Sequence, residues 1–121
     1  MHELSLMGEL LHIVEEDARQ RGFIKINSIS VIVGDLSNVL PDALELAFSF
    51  FQTQSDCIID EETQLLVIRE EAKAACLACG TDFVPDYRIA LCSQCNQTKT
   101  VLLSGETFRI ESYEGSDKNE D

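Results

Sequence analysis

Two CxxC pairs constrain the fold of this chain more than any other feature of its sequence. Cys76 and Cys79 form the first pair, in CLACG, and Cys92 and Cys95 form the second, in CSQC. Two intervening residues allow both sulfur atoms of a pair to reach one metal ion from a tight turn, and four thiolates complete a tetrahedral zinc site. The pattern therefore predicts a zinc-ribbon-like module that folds around a structural metal.

The same cysteines have alternative chemistries. Disulfides are typical of small secreted domains, whereas thiols stay reduced in the cytosol. His2 and Glu3 follow Met1 at the positions where a signal peptide has basic residues. No apolar run approaches the roughly 20 residues that a membrane span needs. We therefore expect a cytoplasmic protein with no membrane segment. The favoured metal is zinc, and the iron of a rubredoxin is the alternative.

Outside the cysteine segment, the hydrophobic pattern predicts a small α/β layer. Apolar residues at helical spacing predict a first helix over about residues 4–21. A β-branched stretch predicts a strand over 26–33, and Pro41 is placed to begin a second helix. LLVIREE, from Leu65, predicts another strand, and the alternation in GETFRIESYE predicts a last strand over 106–113.

These periodicities also predict the buried faces. The first helix is expected to bury Met7, Leu10, Leu11, Val14 and Ala18. The first strand is expected to direct Ile29, Val31 and Val33 to one side of the sheet. The second helix is expected to bury a stripe of Leu40, Leu44, Ala47, Phe48 and Phe51.

The composition changes at Ala72. From there to Leu103 the chain holds both CxxC pairs and few large apolar side chains, too few to form a hydrophobic core. We therefore predict a metal-stabilised module over residues 72–103. The last residues, 114–121, are small, polar and mostly acidic, and they predict a disordered tail.

The charge of the chain argues against one class of function, direct contact with nucleic acid. With 9 basic and 22 acidic residues, its net charge is −13, which repels nucleic-acid backbones. A zinc-ribbon adaptor for nucleic acid or RNA polymerase is therefore a weak alternative, and a rubredoxin-like electron carrier leaves residues 1–70 without a role. There is no nucleophile–base pair or phosphate-binding glycine loop, so we expect no enzyme and no catalytic residues.

The start of the chain has donor atoms for a second metal. The terminal amine of Met1 and the His2 amide nitrogen close a five-membered chelate ring, and that amide and the imidazole Nδ1 close a six-membered ring. Three coplanar nitrogens leave a fourth position for Glu3, water or a ligand from a partner. This arrangement suits Ni(II) or Cu(II). From these three residues alone, an ordinary polar helix start is the simpler interpretation.

Several sequence pieces occur together along nearly the whole chain. They are MHELSLM, VIVGDLSNV, LELAF, CLACG with CSQC, and a GETFRIES ending. The combination resembles the HypA/HybF family of hydrogenase maturation nickel chaperones. The resemblance implies an α+β fold in which two helices pack on a three-stranded sheet. Residues 1–71 and 104–113 then form a nickel-binding domain, into which the four-cysteine zinc module of residues 72–103 is inserted.

The same resemblance implies ligands and partners. Ni(II) is the transient cargo of Met1, His2 and Glu3, and Zn(II) is the structural metal of Cys76, Cys79, Cys92 and Cys95. The implied partners are a HypB-type maturation GTPase and the large subunit of a [NiFe]-hydrogenase. In some organisms the family also serves urease.

Overall fold

Two helices and two three-stranded sheets make up the part of the chain that the structure describes. The structure, a computed structural model, describes residues 2–54, 58–85, 92 and 99–117, with only the backbone for His2. In chain order the elements are α1 (His2–Gln20), β1 (Lys25–Gly34), α2 (Pro41–Gln54), β2 (Gln64–Glu70), β3 (Lys73–Cys76), β4 (Asp82–Phe83), β5 (Thr100–Ser104) and β6 (Phe108–Ser116). The strand orders are β2-β1-β6 and β4-β3-β5. The predicted α+β class is confirmed.

Helix α1 forms where its apolar spacing predicts it, and all five residues of its predicted stripe are buried. The helix ends at a glycine. Gly22 has φ +82°, a conformation that residues with a Cβ rarely adopt. Its N–H donates to the Arg19 carbonyl at 3.1 Å, and the Phe23 N–H donates to the Ala18 carbonyl at 2.9 Å. This pair of bonds is a Schellman cap.

Helix α2 begins at Pro41, as predicted, but its buried stripe is shorter than predicted. Leu44, Ala47 and Phe48 are buried, whereas Leu40 is 63% exposed and Phe51 is only half-buried. The prediction for Leu40 was wrong because this residue precedes the helix. A proline ring disfavours the helical conformation in the residue before it, so that side chain leaves the helical stripe.

Strand β1 lies at the centre of the first sheet and buries Ile29, Val31 and Val33, as its alternation predicts. Strand β6 begins two residues later than predicted and extends to Ser116, so residues 114–116 lie in a strand where a disordered tail was predicted. The prediction was wrong there because the Ser116 carbonyl accepts a hydrogen bond from the Ile24 N–H at 2.8 Å, just before β1. Its alternation stops at Glu111 and Ser112, which are both exposed. Beyond them Tyr113 is half-buried, with its ring 6.2 Å from that of Phe23 in an edge-on arrangement.

The second sheet was not expected from the sequence. Strand β3 pairs antiparallel with both β4 and β5, and Ala74 lies opposite Phe83 on one side and Leu102 on the other. Ala74 is fully buried between these neighbours. The three strands are short and come from separate parts of the chain, so they have no local periodicity to predict them.

The backbone packs into two compact units. One contains Met1–Val31, Leu40–Val67 and Ile110–Asp121, and the other contains Ile32–Val39 and Ile68–Arg109. The domain boundaries predicted from composition remain predictions. In the part of the chain that the structure describes, neither helix is long and apolar enough to cross a lipid bilayer.

Candidate metal centre

The first CxxC pair lies on a tight turn at the end of β3. The Cys76 N–H donates to the Thr81 carbonyl at 2.9 Å, and the Gly80 N–H donates to the Cys76 carbonyl at 2.9 Å. Gly80 has φ +78°, a value that a residue without a Cβ adopts without strain. The Leu77 N–H donates to the Lys99 carbonyl at 2.8 Å, which ties the turn to the chain just before β5.

Three thiols converge beside this turn. The sulfur atoms of Cys76, Cys79 and Cys92 all lie within 4.8 Å of one another. Among the described residues, they form the one group of three or more His, Cys, Asp or Glu side chains that is able to hold a metal ion. Cys76 and Cys92 are buried, whereas Cys79 is exposed.

The spacing of the sulfurs fits a tetrahedral metal. The Sγ atoms of Cys79 and Cys92 are 3.6 Å apart. A zinc–sulfur distance of about 2.3 Å in a tetrahedron separates two sulfurs by about 3.8 Å, so this pair already has nearly the separation of two ligands. The donor set is all sulfur, which suits zinc or an iron–thiolate centre.

Hydrogen bonds at Cys79 favour its thiolate, the form that binds metals. The Cys79 and Thr81 side chains are hydrogen-bonded, with Sγ and Oγ1 3.3 Å apart. This bond, the Thr81 backbone and then the neighbouring cysteines lower the pKa of Cys79 from 9.0 to about 6. The Cys79 N–H in turn donates to the Cys76 sulfur at 3.4 Å. Thr81 therefore supports the site, a role that the cysteine spacing did not indicate.

The fourth predicted zinc ligand, Cys95, lies outside the described residues. The structure therefore brings together three of the four cysteines. The assignment of the complete ligand set remains a prediction.

At the other candidate site, the structure describes only part of the predicted nickel ligands. Met1 lies outside the described residues, and His2 is the first residue of α1. The Glu3 carboxylate lies in the first turn of α1, where its Oε2 accepts a hydrogen bond from the Leu40 N–H at 3.3 Å. The bond joins the start of α1 to the residue that precedes α2.

Comparison with known families finds one match over almost the full chain. A family model described as "HypA: Hydrogenase/urease nickel incorporation, metallochaperone, hypA" matches residues 1–115. The hydrogenase maturation factor HypA of Moorella thermoacetica is 32% identical over 115 residues, which cover 95% of this chain and 99% of that protein. The corresponding factor of Aquifex aeolicus is 31% identical over 114 residues, 94% of this chain and 96% of that protein.

Solved structures share the fold. The solution structure of the Ni metallochaperone HypA from Helicobacter pylori has a TM-score of 0.65 and 22% identity, covering 96% of this chain and 98% of that one. A second solution structure, of a HypA protein, has a TM-score of 0.69 and 24% identity, covering 98% of both chains. At these identities the likeness is evidence for the architecture alone.

Proposed function

The chain belongs to the HypA family of hydrogenase/urease nickel incorporation metallochaperones, and on that premise we propose that it carries Ni(II) on its first residues and delivers the ion for hydrogenase maturation. The observation that carries the proposal is the family match over residues 1–115, which includes Met1, His2 and Glu3. The proposed ligands are the Met1 amine, the His2 amide and imidazole nitrogens, and Glu3 or a group from a partner at the fourth position.

The start of α1 is compatible with such a chelate. The first four N–H groups of an α-helix have no acceptor within the helix. Since His2 is the first residue of α1, its amide nitrogen is able to bind a metal without breaking a helical hydrogen bond. The positive end of the helix dipole weakens the binding of a cation there. Weakened binding suits a carrier, which has to release its cargo.

Calorimetric titration with Ni(II) tests the proposed ligands directly. We expect the His2→Ala variant, and a chain whose terminal amine is acetylated, to lose at least about 90% of the affinity, because each removes a nitrogen ligand. The matched control is His12→Ala, which removes the other histidine, an exposed residue of α1. Equal affinities in the native, His2→Ala and acetylated chains contradict the proposal.

Acid is expected to compete with nickel at the same site. A terminal amine has an ordinary pKa near 7.7–8.0 and a histidine near 6.5, so both are protonated as the pH falls. We expect weaker Ni(II) binding below about pH 6.5. Titrations at pH 7.5 and pH 6 that give the same affinity count against nitrogen ligands.

We also propose that Cys76, Cys79, Cys92 and Cys95 hold one structural Zn(II). The convergence of the first three thiols and the lowered pKa of Cys79 support a thiolate site. When bound, zinc joins the two CxxC segments and leaves no coordination position open for catalysis. Metal analysis of the isolated protein distinguishes zinc from a rubredoxin-like iron centre. We expect one equivalent of zinc and a colourless protein, whereas an iron–thiolate centre would be coloured.

The proposed activity is that of a carrier and not of an enzyme. We assign no catalytic residue, and we place delivery in the cytoplasm, where thiols stay reduced. The proposed partners are a HypB-type maturation GTPase and the large subunit of a [NiFe]-hydrogenase, with urease as a second recipient because the family description names it. Delivery is tested by incubating the ⁶³Ni-loaded chain with an apo-hydrogenase large subunit. The ⁶³Ni content of the separated large subunit then measures the transfer.

A further inference from the structure

An exposed apolar groove runs between α1 and α2, and the metal chemistry above does not use its apolar walls. It encloses about 620 Å³, and its lining residues are Glu3, Leu4, Ala43, Leu46, Ala47 and Phe50. Positions 43, 46, 47 and 50 follow the i, i+3, i+4, i+7 spacing of one helical stripe. This stripe lies beside the buried one, to which Leu44 and Phe48 belong.

The groove exposes large apolar side chains to water. Leu46 is 75% exposed and Phe50 is 48% exposed, although both lie in the middle of a regular helix. Single exposed leucines are ordinary, but a cluster of them around a groove is typical of an interaction site. The helical spacing of its wall favours an occupant that is itself a helix, since helix-in-groove recognition uses the same repeat.

The charges around the groove favour a basic occupant. Helix α2 carries Asp42 and Glu45 and no Lys or Arg, and residues 1–18 contain five acidic residues and no Lys or Arg. Glu3 is itself one of the residues that line the groove. A second copy of the chain, also with a net charge of −13, would place acidic helices against each other. Lysine and arginine side chains on a partner would instead meet opposite charge.

We propose that this groove binds an amphipathic helix of a partner protein, with leucine-sized side chains against Leu4, Leu46 and Phe50 and lysine or arginine side chains toward the acidic surface around them. Docking by itself requires no nickel. Its consequence for delivery rests on the proposed function: since Glu3 is both a groove residue and a proposed nickel ligand, the docked helix lies beside the cargo.

The test uses a fluorescein-labelled helical peptide, LKKLLKLLKKLLKL, titrated with the zinc-loaded full chain without nickel and followed by anisotropy. We expect binding that weakens as salt is raised. The double variant Leu46→Ser with Phe50→Ser should weaken it by about 10-fold or more, because it removes the apolar contacts while leaving every charge in place. The matched control is Leu66→Ser, a similarly exposed leucine on β2, expected to stay within about 2-fold.

Three outcomes overturn the proposal. The first is no binding by the native chain, and the second is equal binding by the native chain and the double variant, which means that charge alone attracts the peptide. The third is a native dimer in sedimentation that the double variant abolishes, which means that a second copy covers the groove. Circular dichroism confirms that each variant is folded. A nickel titration of the double variant separates this proposal from metal binding, since its nickel affinity should equal that of the native chain.

Discussion

The two compact units of the molecule are stabilised in different ways. In the unit that contains α1, most of β1 and α2, the fully buried side chains include the large Met7, Ile26, Ile29 and Leu44. Among the described residues of the unit that contains β3, β4 and β5, the most buried side chains are the small Ala72, Ala74, Cys76 and Cys92. Large buried side chains give the first unit an apolar core. The second unit has few of them among its described residues, so we expect the proposed zinc to hold its cysteine segments together.

Removal of the proposed zinc is expected to have the largest effect, confined to the second unit. Structural zinc contributes about 10–16 kcal/mol in zinc-finger peptides, so chelation or Cys76→Ser should abolish hydrogen-exchange protection in β3 and β5. The amides of α1 and of β1 up to Val31, which lie in the first unit, are the internal control and should stay protected. Unchanged protection at Ala74 and Leu102, which are paired in the second sheet, would contradict the contrast between the units.

Loss of a core side chain is expected to have the next largest effect, in the first unit. Leu44→Ala removes a fully buried side chain and should lower the free energy of unfolding by about 2–5 kcal/mol, as urea denaturation measures it. Leu46→Ala, two residues further along the same helix, is the matched control and should change it by less than about 0.5 kcal/mol. Similar losses in both variants would mean that α2 does not pack on the face that the structure gives it.

Alanine substitution of one glycine in each unit tests how the backbone conformation there affects stability. Gly22 and Gly105 both have positive φ, at +82° and +88°. A Cβ at Gly22 meets no atom within 4 Å, so Gly22→Ala should cost about 1–2 kcal/mol from the backbone conformation alone. A Cβ at Gly105 would lie 2.4 Å from the Ala72 Cα. Gly105→Ala should therefore lower the stability more than Gly22→Ala does, as thermal unfolding measures it. Equal losses would refute the close approach of these two segments.

The smallest expected effect is a pH dependence within the first unit. The Tyr113 hydroxyl donates to the Asp17 carboxylate and, with Arg21, lowers the pKa of Asp17 below its usual 3.8. Since the folded-state pKa is the lower one, this stabilisation is present above about pH 3.8 and is lost as the pH falls through the lowered value.

Tyr113→Phe should therefore lower the Tm at pH 7, and its difference from the native chain should shrink in acid. In an Asp17→Asn background the effect of Tyr113→Phe on the Tm should not depend on pH between about pH 7 and pH 3, because the titrating carboxyl group is gone. A difference in Tm that stays constant with pH in the native background would mean that the hydroxyl does not act through the Asp17 carboxylate, since the ring beside Phe23 is present in both proteins.

The sequence predicted the elements whose signal is local. Helix α1 and strand β1 were located to within two residues, because their periodicities repeat along one stretch of chain. The second sheet was missed because its pairs join residues as far apart as Ala74 and Leu102, and KAAC has no alternation of large apolar residues. The exposure of Leu40 was not predicted, because the proline that follows it disfavours the helical conformation that the spacing assumed for this residue.

At the metal centre, the spacing of the cysteines selected the residues but not their surroundings. The exposure of Cys79 beside two buried cysteines, and the Thr81 hydrogen bond that lowers its pKa, depend on how the turn folds. The groove at Leu46 was not visible in the sequence either. The helical pattern separates apolar from polar positions, but it does not say how far the neighbouring helix covers a stripe.

Three properties of this protein follow from neighbouring residues or from composition and need no knowledge of the fold. They are the type of each long element, the presence of a segment too poor in apolar residues to fold unaided, and the chemistry of its four thiols. Three others had to come from the folded chain: which strands pair, which cysteine faces solvent, and where α1 leaves α2 uncovered. These features arise from contacts between distant parts of the chain, and their geometry depends on the whole packed fold.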